Sequence, residues 1–396
     1  MQQLSRPLLV VSILLLVITG QLGIDVYLPS MPSMTHYFGV SKGMIQNSMT
    51  VYLLLFGLSQ LLLGPVSDRF GRRPILFLGL GLYLFGVGLS LISTSITLFL
   101  LARGVQGFGT GIVSVNTRAI VRDAFQGEHL VKMLTQMTMM WSLIPILAPL
   151  LGGFLQQHFG WRSSFIFMFF AVFINGCMVY YFLPETLQER HDKLRFGFAI
   201  RNFIAILKDE PFLPGIISAA ATMGVMLAFN TASPFIFQQD LHLTPEHYGL
   251  VMFFVAIAYL IGTSLNSSLR VKYGKWKMAQ LGACSLLFSS VFMLICTEVF
   301  GLHLLTLAIP AFFSVLAVGF TYITFSAEAI MPYKSMAATA GALIGSIQLF
   351  FGAGVVFIAS ELPEHTALHL SLLMLLLSLM VAGLFLLKTS KTFRKS

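Results

Sequence analysis

Two charged residues, Asp25 and Arg103, lie inside long apolar stretches of the sequence. A charged side chain in hydrocarbon is costly, so such residues usually face a cavity or a partner and mark a pathway for protons or ions. A carboxylate in this position can bind and release a proton, and a nearby guanidinium can stabilise its charged form. Two simpler interpretations remain open: Arg103 snorkels outward to the interface, and Asp25 caps a helix end near Pro29.

A polar stripe runs along the helix that is expected to carry Arg103. Polar residues follow Arg103 at offsets of 3, 7, 11 and 14 residues, namely Gln106, Thr110, Ser114 and Thr117. At 100° per residue these side chains lie within about 40° of one helix face. Gln21 and Asp25 share a face in the same way, because they are four residues apart. One polar face on an otherwise apolar helix predicts a water-filled pathway.

A third candidate face combines thioethers, an aromatic ring and one amide. It consists of Met223, Met226, Asn230 and Phe237. Most Met and Phe side chains in so apolar a chain pack against helices or lipid, but thioethers adapt to varied apolar ligands. Their occurrence together predicts a promiscuous apolar pocket. Four further residues are assigned to the predicted cavity: Tyr52, Gln60, Tyr322 and Gln348.

No constellation for covalent chemistry accompanies these residues. The sequence has no recognisable Ser–His–Asp set, no His or Cys cluster at metal-ligand spacing and no phosphate-binding loop. The nine histidines fall in predicted loops or at span ends, and the three cysteines fall in apolar stretches. We therefore expect no enzyme activity, no metal and no cofactor.

The composition shows which elements must position the candidate residues. Of the 396 residues, 57% are hydrophobic and 10% are charged, and the mean hydropathy is +0.86. Soluble domains carry about 25% charged residues, whereas a bilayer core about 30 Å thick needs about 20 apolar residues per spanning helix. We therefore predict an all-α integral membrane protein. Its twelve predicted spans, the first an uncleaved one, cover residues 8–30, 45–65, 74–93, 96–118, 131–156, 162–183, 212–238, 247–269, 278–298, 302–327, 338–360 and 368–388.

These spans bring the two charges to a similar depth. Asp25 lies about five residues from the outer end of the first span, and Arg103 about seven from the outer end of the fourth. At about 1.5 Å per residue, the two depths agree to within a few ångströms. We expect the two side chains to be partners across a cavity in some state of the protein.

The basic residues indicate how the spans are oriented. All 24 lysines and arginines except Lys42, Arg103 and Arg162 fall on one side if the N-terminus is cytoplasmic. This distribution follows the positive-inside rule, and an even number of spans then places both termini in the cytoplasm. The net charge of +9 is explained by loops beside anionic lipid, so no nucleic-acid partner is expected.

The chain divides into two six-helix halves, residues 1–185 and 211–396, joined by a charged cytoplasmic linker at 186–210. The halves echo each other locally. Phe70-Gly71-Arg72-Arg73 follows the second span, and Tyr273-Gly274-Lys275 follows the eighth, 203 residues later. Paired halves are the layout of many secondary transporters, whose substrate site lies between the halves near the bilayer midplane.

The loop after the second span carries the most specific motif. It reads Gly64-Pro65-Val66-Ser67-Asp68-Arg69-Phe70-Gly71-Arg72-Arg73-Pro74. On chemistry alone this is a basic loop whose glycines permit a tight turn. The order of the residues resembles the G-x-x-x-D-R-x-G-R-R signature of the major facilitator superfamily. That resemblance implies a conformational latch in which Asp68 contacts the other half, supported by Gly64, Arg69, Gly71, Arg72 and Arg73.

Other segments are similar to one branch of this superfamily. Arg103-Gly104-Val105-Gln106-Gly107 looks like the family's R-x-x-Q-G motif, whose arginine is implicated in proton coupling. The antiporter motif G-P-x-x-G-G resembles the segment with Pro145, Pro149, Gly152 and Gly153, in which Ala148 replaces a glycine. Asp25-Val26-Tyr27-Leu28-Pro29 and Leu183-Pro184-Glu185-Thr186 resemble the drug:proton antiporter-1 family, in particular its Bcr/CflA and EmrD-like branch.

The resemblance implies a proton-coupled multidrug efflux transporter in the inner membrane of a bacterium. Such a protein would export small, largely apolar or cationic compounds by alternating access as a monomer, with Asp25 and Arg103 in proton coupling and with protons, drugs and membrane lipid as partners. Two alternatives remain open. Gln60, Gln348 and the polar stripe also suit a transporter of one defined metabolite, such as a sugar, nucleoside or amino acid. A membrane enzyme or sensor on the same scaffold would need a catalytic set that the sequence lacks.

Overall fold

The computed structural model describes residues 6–187, 196–209, 212–363 and 367–393. These residues are almost entirely helical and contain no β-strand. The N-terminal bundle consists of α1 (Arg6–Asp25), α2 (Met31–Phe38), α3 (Lys42–Phe70), α4 (Arg72–Ile92), α5 (Ile96–Ala124), α6 (Gly127–Phe159) and α7 (Arg162–Phe182). After α8 (Phe196–Leu207), the C-terminal bundle consists of α9 (Phe212–Phe235), α10 (Pro245–Phe300), α11 (Leu304–Ile330), α12 (Ala337–Ser360) and α13 (Ala367–Phe393).

Eleven helical segments of the described chain are long and apolar enough to cross a bilayer. One of them, α10, has 56 residues and would be about 84 Å long as one straight helix, far more than a bilayer needs. Gly274 interrupts it with φ 78° and ψ 163°. Counting the two arms of α10 separately, residues 245–273 and 275–300, accounts for twelve crossings. The predicted all-helical membrane fold is confirmed, and the cytoplasmic placement of both termini stays a prediction.

The first span is longer than predicted and is broken. α1 ends at Asp25, and the chain continues through a 3₁₀ turn (Leu28–Ser30) into α2, so the apolar helical run extends to Phe38. Pro29 and Pro32 have no N–H to donate, so a regular helix cannot pass through them unchanged. Asp25 therefore lies at a helix break inside the span, and not near the outer end where the sequence placed it.

The two bundles have separate apolar cores that meet along α3 and α12. The larger core comes mainly from α1 to α7 and also takes in Leu349, Ala353 and Val356 of α12. A second core is built from α9 to α13. The bundles therefore pack directly against each other, with apolar side chains from both sides in one cluster.

The two ends of the molecule differ in how the bundles are joined. We call the end with the turn at Gly71 the linker side and the end with α2 the far side. Three side chains on the far side donate to backbone carbonyls of the other bundle within 3.2 Å: Lys42 to Pro363, Gln46 to Thr231 and Gln238 to Pro29. Towards the linker side, the hydrogen bonds described between the bundles reach only to Ser346 and Gly57, midway along α3. The hydrogen bonds between the two bundles are thus concentrated on the far side.

Candidate functional site

A narrow cavity lies between the two bundles, with a volume of about 30 Å³ accessible to water. It is bounded by α1 and α6 on one side and by α9, α10 and α11 on the other. Twelve residues line it: Gln21, Ile24, Asp25, Trp141, Pro145, Met223, Met226, Leu227, Asn230, Tyr259, Val318 and Tyr322. The lining holds one carboxylate and neither lysine nor arginine. The structure therefore unites two faces that the sequence identified separately, one on α1 and one on α9.

Asp25 is the last residue of α1 and is 1% exposed. The amide Nε2 of Gln21 donates to its Oδ2 at 2.9 Å. The other carboxylate oxygen, Oδ1, is buried and has no hydrogen-bond partner among the described residues. A buried carboxylate that is only half satisfied is poised to take up a proton or a donor group.

Arg103 of α5 is fully buried inside the N-terminal bundle. Its guanidinium lies between the rings of Tyr27 and Tyr52, 4.3 and 4.5 Å from their centroids. It donates to the Gly23 carbonyl at 2.6 Å and to Gln106 Oε1 at 2.5 Å. Cation–π contacts away from water contribute about 2 kcal/mol each, so this cluster holds α5 firmly against α1 and α3.

No ion pair joins Asp25 to Arg103 among the ion pairs of the described residues. The guanidinium contacts the backbone of α1 at Gly23, two residues before the carboxylate. In this conformation the connection is therefore indirect: Arg103 holds the end of the helix that carries Asp25.

Four residues predicted to line the cavity lie elsewhere. The hydroxyl of Tyr52 donates to the Gly20 carbonyl and lies 2.9 Å from Thr110 Oγ1, and Gln106 belongs to the Arg103 cluster. Phe237 packs in the aromatic core of the C-terminal bundle. Phe237 follows the end of α9 in a π-helical turn (Ile236–Asp240), where the α-helical period no longer applies. For the residues of α5, periodicity carries no information on whether a helix face meets a cavity or a neighbouring helix.

A second polar group, centred on Arg118, lies further towards the linker side. Its guanidinium donates to Gln60 Oε1 at 2.8 Å and to Ser114 Oγ at 3.3 Å. In the other bundle, the Tyr322 hydroxyl donates to Gln348 Oε1 at 3.1 Å. The sequence placed Arg118 at the end of the fourth span, and in the structure α5 continues six residues beyond it. These predicted cavity residues are thus spread along the contact between the bundles, and Tyr322 alone among them lines the cavity itself.

Trp141 and Tyr259 line the cavity but were missed in the sequence. The Trp141 ring stacks on that of Tyr322, with centroids 6.0 Å apart and an interplanar angle of 18°. This contact joins α6 to α11 across the cavity. Trp141 lies four residues before Pro145, on the same helix face, and that spacing could have identified it. Tyr259 had no comparable signal, since it stands alone in an apolar span.

The predicted antiporter-motif residues Pro145, Pro149, Gly152 and Gly153 all lie in α6. Pro145 lines the cavity. A methyl group on Gly152 would collide with the Val26 carbonyl, and one on Gly153 with the Pro245 carbonyl. The two glycines therefore let α6 approach α1 and α10 backbone to backbone on the far side.

The predicted latch residues surround the turn between α3 and α4. Arg72 binds Asp68 Oδ1 at 2.6 Å and Asp123 Oδ2 at 2.9 Å. The side chain of Asp68 is 40% exposed, and its described partner belongs to its own bundle. The predicted contact of Asp68 with the other half is therefore not made in this conformation. Arg69 lies over the Phe70 ring at 5.1 Å.

Glu185, which follows α7, has a role at this turn that the sequence did not reveal. Its carboxylate accepts from the backbone N–H groups of Arg72 and Arg73 at 3.0 and 3.2 Å. A carboxylate at a helix N-terminus satisfies free amides and complements the helix dipole. Gly71 adopts φ 103°, as the tight turn requires, whereas a side chain on Gly64 would meet nothing within 4 Å.

A counterpart of this turn occurs at the break in α10. Lys275 lies 3.7 Å from Glu328 of α11, as Arg72 binds Asp123 of α5. The local echo in the sequence therefore corresponds to an ion pair at the same place in each bundle.

Two helical bundles, an internal cavity between them and a buried carboxylate in its wall define a multi-pass membrane transporter and not an enzyme. The sequence model of the Major Facilitator Superfamily matches residues 13–359. The chain belongs to this superfamily, and the resemblance drawn from its motifs is confirmed.

The relatives that it matches include drug-resistance proteins. The chain is 28% identical over 370 residues to a bicyclomycin resistance protein homolog of Haemophilus influenzae, covering 92% of each chain. It is 26% identical to multidrug resistance protein D of Escherichia coli, covering 94% of this chain and 93% of that one. It is 29% identical to a chloramphenicol resistance protein of Pseudomonas aeruginosa, covering 92% and 87%.

The fold also matches a solved structure. The crystal structure of the human organic anion transporter MFSD10 (TETRAN) aligns with a TM-score of 0.67 and 18% identity, over 97% of this chain and 99% of that one. At this identity the match establishes the fold alone.

Proposed function

We propose that this protein is a proton-coupled multidrug efflux transporter, a drug:proton antiporter of the bacterial cytoplasmic membrane. The drug-resistance relatives support the drug-export part of this proposal. The observation that carries the coupling part is the buried carboxylate of Asp25, whose Oδ1 has no described hydrogen-bond partner in a cavity between the bundles.

The lining of the cavity suits small apolar or cationic compounds. Trp141, Tyr259 and Tyr322 offer aromatic faces, and Met223 and Met226 offer adaptable thioethers. Aromatic faces attract organic cations as well as apolar groups, and a carboxylate adds a negative charge for a cationic substrate. Such a pocket selects by size and apolar area more than by fixed hydrogen bonds, which favours a broad range of substrates.

Coupling requires that Asp25 exchange its proton for substrate as the bundles move. Protonated Asp25 would be neutral and would release a cationic substrate, whereas ionised Asp25 would attract one. The hydrogen bonds between the bundles are concentrated on the far side, and we infer from this that the cavity is reached from the linker side. If the linker side is cytoplasmic, this is the state that loads substrate and releases the proton.

The available energy is sufficient for useful export. Exchange of one proton for a monovalent cation moves no net charge, so the pH gradient alone drives it. With a neutral substrate, one elementary charge moving through 100 mV supplies about 2.3 kcal/mol. Since a tenfold concentration ratio costs about 1.4 kcal/mol, one proton supports a gradient of roughly forty-fold.

Counter-transport in proteoliposomes tests the proposal. The protein would be reconstituted, a pH gradient imposed, and uptake measured for cationic, neutral and acidic compounds. We expect Asp25→Asn to abolish accumulation driven by the pH gradient, whereas Glu298→Gln, which changes an exposed carboxylate outside the cavity, should retain it. Gradient-driven accumulation by Asp25→Asn vesicles would show that another group carries the proton.

A transporter of one defined metabolite is the competing function. The hydrogen-bonded pair of Tyr322 and Gln348, with Gln60 nearby along the bundle contact, is the observation that favours it. Competition for transport between chemically unrelated apolar dyes would exclude this alternative, since a hydrogen-bonding pocket rejects ligands that leave its polar groups unpaired.

A further inference from the structure

A groove distinct from the central cavity opens on the outer surface of the N-terminal bundle, between α1, α6 and α7. Its volume is about 290 Å³. Leu22 and Ile144 form its floor, Phe167 forms one wall, and Leu147, which is 44% exposed, lies at its mouth. None of the residues discussed for transport, apart from Ala148 of the motif on α6, lines it.

The chemistry of the groove excludes a polar ligand. Thr19 is its one polar side chain, and the Thr19 hydroxyl donates to the Leu15 carbonyl of its own helix at 3.3 Å. Every other lining side chain is a hydrocarbon. A polar group placed here would lose its hydrogen bonds to water without replacement, so the occupant must be apolar along its whole length in the groove.

The depth of the groove places it in the hydrocarbon of one leaflet. Its α7 portion, 167–172, begins five residues from the far-side end of that helix, and its α6 portion, 144–151, begins eight residues from the far-side end of α6. At about 1.5 Å per residue the groove covers roughly 8 to 22 Å below the far-side helix ends. Half of a bilayer core is about 15 Å, which is the reach of one acyl chain.

The groove is also closed off from the transport cavity. α1 and α6 turn one face to each: Gln21 and Pro145 point into the cavity, while Leu22 and Ile144 line the groove. Towards the far side, the close contact of Gly152 with the Val26 carbonyl leaves no passage between the two helices. On the far side, the packed helices therefore separate a substrate in the groove from Asp25.

We propose that the groove is a binding site for one acyl chain of a phospholipid from the far-side leaflet. α6 packs more extensively against α1 and α10 than against α7, its neighbour in the chain. An acyl chain fills the space between α6 and α7 and supports the helix that presents Trp141 and Pro145 to the cavity.

Photolabelling tests this site directly. The protein would be placed in phosphatidylcholine nanodiscs containing a small fraction of phosphatidylcholine with a diazirine midway along one acyl chain, irradiated, and mapped by peptide mass spectrometry. We expect label concentrated on the groove residues of α1, α6 and α7. Ala171→Phe, which fills the groove, should lower that label about tenfold, because one displaced chain segment forfeits more than a kcal/mol of apolar contact.

The matched control is Ile166→Phe, which adds a ring on the exposed face of the same helix that points away from the groove. It should leave groove labelling unchanged. Thermal unfolding of both variants checks folding, and Leu147→Trp, which blocks the mouth without entering the core, replaces Ala171→Phe if that variant is unstable. Label spread evenly over the lipid-facing surface, or unchanged by a folded groove-filling variant, would overturn the proposal.

Displacement of the label by a transported apolar compound would also overturn it, since the groove would then be a drug site. The labelling is measured without any gradient or substrate. Its result is therefore independent of whether the protein is a proton-coupled exporter.

Discussion

The two bundles differ in the polar contacts that hold their helices together. In the N-terminal bundle, a buried guanidinium joins α5 to α1 and α3, and a buried carboxylate ends α1. In the C-terminal bundle, apart from the ion pair of Lys275 with Glu328 at the break in α10, the helices are joined by neutral hydrogen bonds: Ser290 with Ser378 at 2.8 Å, Ser314 with Ser289 at 2.9 Å, and Asn266 with the Phe320 carbonyl at 2.6 Å. Neutral hydrogen bonds and small residues are sufficient to hold helices together in lipid.

The comparison teaches that the buried charges are not needed for adhesion. Asp25 and Arg103 are the two most deeply buried charged residues that the structure describes, and both belong to the N-terminal bundle. Arg103 does hold helices together, but neutral contacts do the same in the C-terminal bundle, so the burial of two charges is best explained by function. The N-terminal bundle would then carry the coupling, while the C-terminal bundle provides most of the cavity wall. Paired substitutions in the two bundles test this division.

The largest difference should follow from the Arg103 cluster. Arg103→Lys keeps the charge but cannot stack between two rings and donate to Gly23 and Gln106 at once, so the end of α1 with Asp25 loses its support. Since misplacement by 1 Å can cost a hundredfold, we expect gradient-driven transport to fall by about that factor. The control, Asn266→Ala, removes the neutral contact of the other bundle and should lower the melting temperature while leaving coupling intact. Equal loss of coupling in both variants would contradict the division.

The glycines of the two turns give the next comparison. Gly71 and Gly274 share a backbone conformation that other residues rarely adopt, so Gly→Ala should cost about 1–3 kcal/mol of stability at either. At Gly71 the added methyl would also lie 2.6 Å from Glu185 Oε2, whereas at Gly274 it meets nothing within 4 Å.

We therefore expect Gly71→Ala to destabilise the protein more than Gly274→Ala, as measured by thermal unfolding in detergent. In a Glu185→Ala background, the stability lost through Gly71→Ala should fall towards the stability lost through Gly274→Ala. If Gly274→Ala proves the more harmful change, the Glu185 contact does not stabilise the turn.

The basic residues of the same turns should differ less. Arg72 binds two carboxylates and is 12% exposed, whereas Lys275 lies 3.7 Å from one carboxylate and is 44% exposed. Charge-assisted hydrogen bonds contribute about 1.5–3 kcal/mol, and exposed ion pairs less than about 1 kcal/mol. Arg72→Gln should therefore slow transport several-fold while Lys275→Gln changes it little. Initial uptake rates at matched expression measure this difference. A larger loss of rate in Lys275→Gln than in Arg72→Gln would contradict the prediction.

The smallest effect is expected for the hydroxyl pairs of the C-terminal bundle. Ser290→Ala leaves Ser378 with its backbone acceptor at Met374, so the loss should be about 0.6 kcal/mol, the average for such bonds between membrane helices. Proton coupling, measured as drug-induced proton release from proteoliposomes, should stay at the wild-type level. A coupling defect in Ser290→Ala would place a functional polar group in the C-terminal bundle.

The sequence predicted site residues correctly where spacing along one helix identified them. It failed where the position of a residue depends on the packing of two helices. Gln21 with Asp25, and Met223 with Met226 and Asn230, were identified from spacing on single helices, and these residues line the cavity. The polar stripe that follows Arg103 was equally regular, yet its members bond within their own bundle: Gln106 to Arg103, Thr110 to Tyr52 and Ser114 to Arg118. Whether a regular polar face meets a cavity depends on which helices pack beside it. Those helices are distant in the sequence, so the spacing of residues within one helix does not reveal them.

The sequence by itself determined the membrane class, the number of crossings, the superfamily and the two charges that need explanation, because hydropathy, helical period and motif order are properties of contiguous residues. Tertiary structure decided that Arg103 holds the backbone at Gly23 and leaves Asp25 without an ion partner, that Trp141 stacks on Tyr322, and that Glu185 caps α4. These contacts join residues 80, 181 and 113 positions apart, and only packing in three dimensions selects among the many pairings that such distances along the chain allow.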